Sequence, residues 1–540
     1  MKNRNAILSL VVGTMIITSC TPQPDGYKTL SPEVLKDKIA GGWAGKMIGV
    51  TYGAPTEFRA KACTYEDSIK WTPADIKGSI GQDDLYVQLT FMESMDKYGV
   101  DAPAVKFQEL FAKAGYHLWC ANMQARKNYF DSIFPPASGH PDNNFRADDI
   151  DFQIEADYIG FMCPGMPRTS NAICDKIGHI MNYGDGVYGG MFVCALYAEA
   201  FFESDIPTII QKAVRSIPSE SDYAKIVRDV ITLHKQYPGD WRAAWKELEA
   251  KWGDVDVAGA GDAFNIDAKI NGAYIVMGLI YGNGDPEKTM EITTRCGQDS
   301  DCNPSNALAV LGVIKGLSNL PESMRKGIEA VGDSTFVNTS YSFNKAVENT
   351  YQYALRFIKA DSGEVSDKEI KIKIQQPMAP ILEVSFPNVV FDKKVSVFEK
   401  KAWTQNGTWN IYKMKPWDKK ELVEQALYAE KAGSERSFTF DGTGISINGN
   451  WLRDGGKADI YLDGKFQRTI DTYYYFSKQE HTNQSLWHVF GLQQGTHTVK
   501  IVVKGEKRPE SEGTKVYISE AVIYKTAPKK NDTYKFSFEK

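Results

Sequence analysis

Between residue 31 and about residue 359 the apolar positions recur every three or four residues, the period of helices that bury one face. The clearest runs are 85–97, 105–118, 188–202, 222–237, 240–252, 274–281, 286–295 and 305–317, each bounded by caps, glycines or prolines. Ser31-Pro32-Glu33 reads as a helix start, because serine can cap an orphan amide and proline is tolerated in a first turn. Gly41, Gly45 and Gly49 then fall every fourth residue and place bare backbone on one helical face. Glycine weakens a helix, so close packing against another backbone is the expected compensation. The pattern predicts an all-α domain over residues 31–360.

From about residue 361 the period drops to two, first in 368–374 and then, beyond a stretch at 375–387 with three prolines, in 437–440, 445–447, 458–462, 498–503 and 516–523. Asp463-Gly464 between two such runs is a hairpin signal. These features predict a linker over 361–387, an antiparallel all-β sandwich over 388–527 and a tail over 528–540. The strings Phe440-Asp-Gly-Thr-Gly-Ile-Ser-Ile-Asn-Gly449, Tyr461-Leu-Asp-Gly-Lys465 and Gly495-Thr-His-Thr-Val-Lys-Ile501 resemble the galactose-binding-like jelly rolls appended to secreted glycoside hydrolases. That resemblance implies a jelly roll and a possible carbohydrate-binding module. Of Trp403, Trp409, Trp417, Trp451 and Trp487, most are expected in the core, the rest being available to stack on sugar rings.

At the other end, Lys2 and Arg4 precede an apolar run over residues 6–17, too short to span a bilayer but suited to a signal peptide. The run ends in Ile17-Thr-Ser-Cys20, which resembles a bacterial lipobox. This implies removal of residues 1–19, lipidation of Cys20, a tether over 20–30, and membrane anchoring in a bacterial cell envelope. Across the 540 residues a net charge of -5 argues against a broadly basic nucleic-acid binder, so no nucleic-acid partner is expected. Eight cysteines, none after Cys302 and none in C-x-x-C spacing, read as small core residues rather than a disulfide scaffold or zinc site.

Four acidic segments carry candidate chemistry. Gly81-Gln82-Asp83-Asp84 and Gly297-Gln298-Asp299-Ser300-Asp301 each precede a helical run, where aspartates ordinarily cap amides and complement the helix dipole. Brought together, however, four carboxylates would repel one another and require a hard cation or bound protons. In the third segment, 148–157, a helix would align Asp148, Asp151 and Glu155 on one face, with Gln153 and Asp157 elsewhere on the surface. Asp149, Asp151, Gln153 and Glu155 are its substrate-binding candidates, against the alternative of a solvated acidic face. In the fourth, His179 and Asp185 could contact substrate; equally, His179 could be an ordinary core or surface histidine and Asp185 a helix cap.

The string Gly41-Gly-Trp-Ala-Gly-Lys-Met-Ile-Gly-Val-Thr-Tyr-Gly-Ala-Pro-Thr-Glu57-Phe58, then Asp83-Asp84, then Asp299-Ser-Asp301 resembles the ADP-ribosylglycohydrolase family over roughly residues 30 to 335. The resemblance implies an all-α fold and hydrolysis at the anomeric carbon of ADP-ribose, commonly with two bound magnesium ions. It implies metal ligation by Asp83, Asp84, Asp299 and Asp301, with Gln82 able to offer a carbonyl oxygen, and a catalytic or ribose-orienting role for Glu57. Asp84 and Asp299 are counted with Glu57 among the catalytic candidates. Gln82 stands where the family usually has threonine or serine, and Cys302 where it usually has threonine. A thiol is a poor ligand for Mg2+ or Ca2+, so two ions, one, or none remain open.

Hydrolysis at an anomeric carbon needs an acid/base, for which Glu57 is the first candidate. There is no G-x-S-x-G, H-E-x-x-H or Walker loop to favour another chemistry. The implied envelope location and appended sandwich favour an extracellular glycan or glycoconjugate as substrate. The alternatives are an ADP-ribosyl or other N-glycoside hydrolase and a non-catalytic, surface glycan-binding lipoprotein.

Overall fold

The computed structural model describes residues 26–415 and 421–527. The expected signal peptide, Cys20, Trp417 and the tail over 528–540 lie outside the described residues.

The helices are α1 (Pro32–Gly53), α2 (Asp83–Tyr98), α3 (Ala104–Lys113), α4 (Cys120–Phe130), α5 (Asp151–Glu155), α6 (Asp157–Phe161), α7 (Pro167–Gly178) and α8 (Asp185–Ala200). They continue as α9 (Ile206–Ala213), α10 (Asp222–Gln236), α11 (Trp241–Trp252), α12 (Ala268–Gly282), α13 (Pro286–Arg295), α14 (Cys302–Lys315), α15 (Glu322–Val331) and α16 (Phe343–Ala360). The run read over 105–118 becomes the shorter α3, because the chain turns extended at Ala114. Ser31 caps α1 by accepting the Val34 N–H.

From Ile39 to Thr51 α1 is buried on every side, and α14 is buried from Cys302 to Val313. These two apolar helices form the domain's axis. The glycine stripe explains how close they come. A Cβ at Gly41 would sit 2.1 Å from the Gly312 carbonyl oxygen, one at Gly45 2.4 Å from Leu308 O, one at Gly49 2.4 Å from Pro304 O, and one at Gly53 1.9 Å from Ser300 O. These pairings run in opposite chain directions, so the helices are antiparallel. The end of α1, leading to Glu57, therefore meets the start of α14, where Asp299 and Asp301 lie. Any side chain on this stripe would force the two backbones apart.

The strands are β1 (Tyr27–Leu30), β2 (Glu364–Val365), β3 (Ile370–Lys373), β4 (Val389–Ser396), β5 (Trp403–Asn406), β6 (Asn410–Met414) and β7 (Val423–Ala429). They continue as β8 (Glu435–Gly442), β9 (Gly444–Trp451), β10 (Lys457–Leu462), β11 (Lys465–Asp471), β12 (His481–Val489), β13 (Gly495–Val503) and β14 (Val516–Thr526). One sandwich sheet has the order β11-β10-β13-β8-β5; the other has β12-β9-β14-β7-β6, with β4 also on β14. All described pairings between these strands are antiparallel. Asp463 and Gly464 both take positive φ, 50° and 77°, as the tight β10–β11 hairpin requires.

The segments read as tether and linker differ from that reading, because β1 pairs with β3 from Tyr27↔Lys373 to Leu30↔Ile370, and β2 adds to β3. Ile370 and Ile372 are fully buried, which gives this small sheet an anchor in the helical core.

The sandwich packs directly on the helical domain. Phe145 meets Phe386, Phe490 and Tyr524, and the Tyr524 hydroxyl donates to Val257 O at 2.9 Å. Arg126 donates to Ser477 Oγ at 2.9 Å, and the Leu118 N–H to Gln479 Oε1 at 3.0 Å.

Candidate functional site

Glu57 follows the short turn that ends α1. The Thr56 and Ser300 hydroxyls are 2.7 Å apart, the Phe58 N–H donates to Gln298 O at 3.0 Å, and the Gln298 N–H returns to Ala60 O at 2.8 Å. Phe58 and Gln298 both have positive φ, 51° and 53°, a backbone region that costs a non-glycine residue on the order of 1–3 kcal/mol. The reciprocal bonds hold both conformations and fix Glu57 beside the start of α14. Glu57, Asp299 and Asp301 each bring a carboxylate oxygen within 4.8 Å of the other two. A second such group is Asp84, Asp301 and Cys302.

Helix capping does not account for these acids. Asp301 occupies the N-cap position of α14 without capping it through its side chain, and its Oδ1 is buried with no hydrogen-bond partner. Asp299 accepts a long bond, 3.4 Å, from the Cys302 N–H and shares a hydrogen bond with the Asp301 carboxyl. Unrelieved negative charge shows in the proton affinities. Burial first, then the charge of Asp84, pushes the Asp83 pKa up to about 7. Burial first, with Glu57 and Asp84 behind it, brings Asp299 to about 7, and Asp301 lies well above the usual carboxylate range for the same kind of reason. Glu57 is exposed as a residue, yet protein packed about its carboxyl, then Asp301, Asp83 and Asp84, raise it to about 9. A hard divalent cation would relieve this repulsion and satisfy the orphaned Asp301 oxygen, so Asp299 and Asp301, with Glu57 close by, fit one ion.

Asp84 is built differently. Its Oδ1 lies 3.2 Å from the ammonium of Lys46, and its Oδ2 accepts the Cys302 thiol at 3.0 Å. Lys46 is fully buried on α1 and also meets Asp157 Oδ2 at 2.8 Å and the Ile154 carbonyl at 2.9 Å. Burial alone would lower the lysine pKa, but the charges of Asp157 and Asp84 outweigh it and the net shift is upward. Both Asp84 oxygens thus already have donors, and a second ion held through Asp84 does not fit the residues present. Gln82 gives its backbone carbonyl to the first turn of α2, and its side chain makes no hydrogen bond to a described residue.

The third acidic segment reaches this site only in part. Asp151 accepts the backbone N–H groups of Ala121 at 3.1 Å and Asn122 at 2.9 Å, so it caps α4. Glu155 accepts from the Asn122 side chain, while its other oxygen is buried without a partner. Like-charge effects tie Glu155 to Asp83 and Asp84. Asp149 pairs with Arg146 at 3.0 Å. The sequence reading that put Gln153 and Asp157 on the surface is corrected: both are fully buried. Gln153 Oε1 accepts from the Tyr223 hydroxyl at 2.7 Å, and Asp157 serves Lys46, Tyr197 and Asn306.

Asp185 and His179 have no hydrogen bond or ion pair with Glu57, Asp83, Asp84, Asp299 or Asp301 among the described residues. Asp185 opens α8 and accepts the Tyr223 N–H at 3.1 Å, close to a buried cluster in which Lys269 lies 2.7 Å from Asp267 and 3.5 Å from Asp148. His179 ends α7 and pairs with Glu383 at 3.0 Å. These internal partners account for both residues.

Beside the carboxylates stands an apolar wall of Phe58, Phe264, Cys120, Ile150, Ile266 and Cys302, with the two phenyl rings 4.8 Å apart. Gln298 bonds to Ala263 O and the Asn265 N–H, which ties the Phe264 loop to the metal-motif loop.

The profile of the ADP-ribosylglycohydrolase family matches residues 31–353, more than half of the chain. The chain belongs to the ADP-ribosylglycohydrolase family. The helical fold and the family expected from the motifs are both borne out. A solved ADP-ribosylglycohydrolase-related protein complex is similar at 13% identity and a TM-score of 0.42, over 60% of this chain and 99% of that one. A two-domain esterase active on acetylated mannans is similar at 14% identity and a TM-score of 0.22, over 41% of this chain and 59% of that one. A curated relative, the A type blood alpha-D-galactosamine galactosaminidase of Flavonifractor plautii, is 30% identical over 99 residues. That match spans 18% of this chain and 8% of the relative.

In this family member, sequence reasoning missed Lys46. Its signal was present: a lone lysine inside the apolar run Ile39 to Val50 of α1 must be paired if the helix is buried all round.

Proposed function

We propose that the chain is a cell-envelope glycosidase that cleaves a glycosidic bond in an extracellular glycan or glycoconjugate. The observation that carries this reading is the meeting of Glu57, Asp299 and Asp301 beside the Phe58–Phe264 pair. Of the five carboxylates of the two motifs and Glu57, only Glu57 is exposed, with Asp83 half-buried and the other three buried. Glu57 is therefore placed to exchange a proton with a leaving group, while Phe58 and Phe264 offer an apolar surface to a sugar ring. Asp299 and Asp301 would hold one Mg2+ or Ca2+ beside Glu57, whose carboxyl stays off the ion and free to exchange its proton. That ion would supply orientation of sugar hydroxyls and charge balance when bound. The Lys46–Asp84–Cys302 arrangement keeps Asp84 as a fixed, hydrogen-bonded wall behind the ion site.

The family match favours a second reading, an ADP-ribosyl or other N-glycoside as substrate. The envelope location rests on the lipobox-like Ile17-Thr-Ser-Cys20 and is tested by palmitate labelling, which Cys20→Ala should abolish. The activity is tested on a panel of bacterial, host and plant oligosaccharides beside ADP-ribosylated peptides. Release of sugar from a glycan, lowered about 10²–10⁴-fold by Glu57→Gln with the fold kept, supports the proposal. Turnover of the ADP-ribosylated peptides alone would favour the second reading. No release from any member would make the chain a glycan-binding lipoprotein instead.

A further inference from the structure

A cavity of about 630 Å³ lies where the sandwich meets the helical domain, and its lining includes Asn143, Trp451, Lys457, Arg468, Ser485 and Trp487. Its size is within the range of ligand sites, which favour domain junctions. Three observations define what it would hold.

First, Trp451 and Trp487 are 3% and 6% exposed, and neither indole N–H has an acceptor among the described residues. Neither indole nitrogen is among the sealed, unpartnered atoms, and both residues line the cavity. Other packed tryptophans do find acceptors: Trp43 donates to Thr350, Trp245 to Cys296 O, Trp252 to Asp229, Trp403 to Ser396 O and Trp409 to Glu435 O. An indole N–H can only donate, so both remain available to an acceptor on a ligand.

Second, Lys457 and Arg468 have no carboxylate within ion-pair distance among the described residues. Arg468 instead reaches across the junction to Asn143 Oδ1 at 3.2 Å. Third, the acids of the same lining are already engaged or turned outward. Asp131 pairs with Lys127 at 2.5 Å and Arg508 at 3.1 Å, Asp471 pairs with Arg508 at 3.3 Å, and the Asp142 side chain is 85% exposed. The cavity thus offers two indole donors and two uncompensated cations, in a chain whose net charge is -5.

We propose that this junction is a binding site for an acidic glycan segment, whose sugars bear carboxylate or sulfate groups. The anionic groups would meet Lys457 and Arg468, and ring or hydroxyl oxygens would accept from Trp451 and Trp487. Binding here needs no hydrolysis, so it stands apart from the reading of the carboxylate site.

The test is calorimetric titration of the full-length protein, and of its Glu57→Gln variant, with tetragalacturonate, a chondroitin sulfate tetrasaccharide and neutral cellotetraose. The proposal expects binding of one or both acidic probes to both proteins, the two acidic arms separating carboxylate from sulfate recognition. Lys457→Ala with Arg468→Ala should weaken that binding at least tenfold at an unchanged unfolding temperature. Trp487→Phe, which keeps a ring but removes the N–H, should weaken it severalfold. Equal binding of cellotetraose, unchanged affinity in the double variant, or no binding of either acidic probe at millimolar concentration would overturn it.

Discussion

Two acidic clusters lie in the helical domain, and they differ in whether the chain supplies its own cations. In the closed cluster, Asp148, Asp185 and Asp267 surround Lys269, and neighbouring Asp149 pairs with Arg146. In the open cluster, Glu57, Asp299 and Asp301 converge with no lysine or arginine in ion-pair distance among the described residues, and Asp301 keeps an orphaned oxygen. Asp84 sits between these cases, closed by Lys46 and Cys302 on both oxygens. Acidic composition alone does not separate a site from a scaffold. The separating feature is a carboxylate that the fold has left without a donor.

The largest stability effect should come from opening the closed cluster. Lys269→Met leaves several buried carboxylates uncompensated and should cost about 3–5 kcal/mol in urea unfolding, as breaking a buried pair usually does. A loss below about 1 kcal/mol would mean that this cluster is no more structural than the open one.

The pH dependence of the closed cluster has a definite sign. Burial first, partly offset by Lys269, raises the Asp185 pKa to about 7. A folded pKa above the unfolded one means that the native state binds the extra proton. The stability that Asp185 contributes is therefore fully present below about pH 4 and is lost as pH rises through about 7, by at most about 1.4 kcal/mol per pH unit. Comparing unfolding free energies of wild type and Asp185→Asn between pH 5 and 8 checks this, since the variant should lose the share of the slope that Asp185 contributes. A variant with an unchanged slope would place the titration elsewhere.

Cys302→Ser should have the smallest effect, within about 1.5 kcal/mol, because a hydroxyl can replace the thiol as donor to Asp84. Burial holds the thiol protonated, well above its usual pKa, which suits a hydrogen-bond donor and not a nucleophile. A large loss of activity at unchanged stability would assign Cys302 a chemical role.

Much of the frame was legible in local sequence. The glycine repeat of α1 announced a close backbone contact, but not that its partner is α14, whose start brings Asp299 and Asp301 to Glu57. The run 286–295 became α13, and the alternating runs 458–462 and 516–523 fell within β10 and β14. Long-range pairing was not legible: β1 meets β3 across more than 300 residues, and four residues of alternation at Tyr27–Leu30 are too few to mark a strand. Nor could the sequence sort its aspartates. Asp84, Asp299 and Asp301 look alike in a motif, and only the folded chain shows that Lys46 and Cys302 take up the first while Asp301 remains open.

Titration with Mn2+, followed by electron paramagnetic resonance of the free ion, tests the distinction most directly. One ion should bind per wild-type chain, none in Asp301→Asn, and one in Asp185→Asn. Two ions in wild type, or loss of the ion in Asp185→Asn with retention in Asp301→Asn, would contradict it.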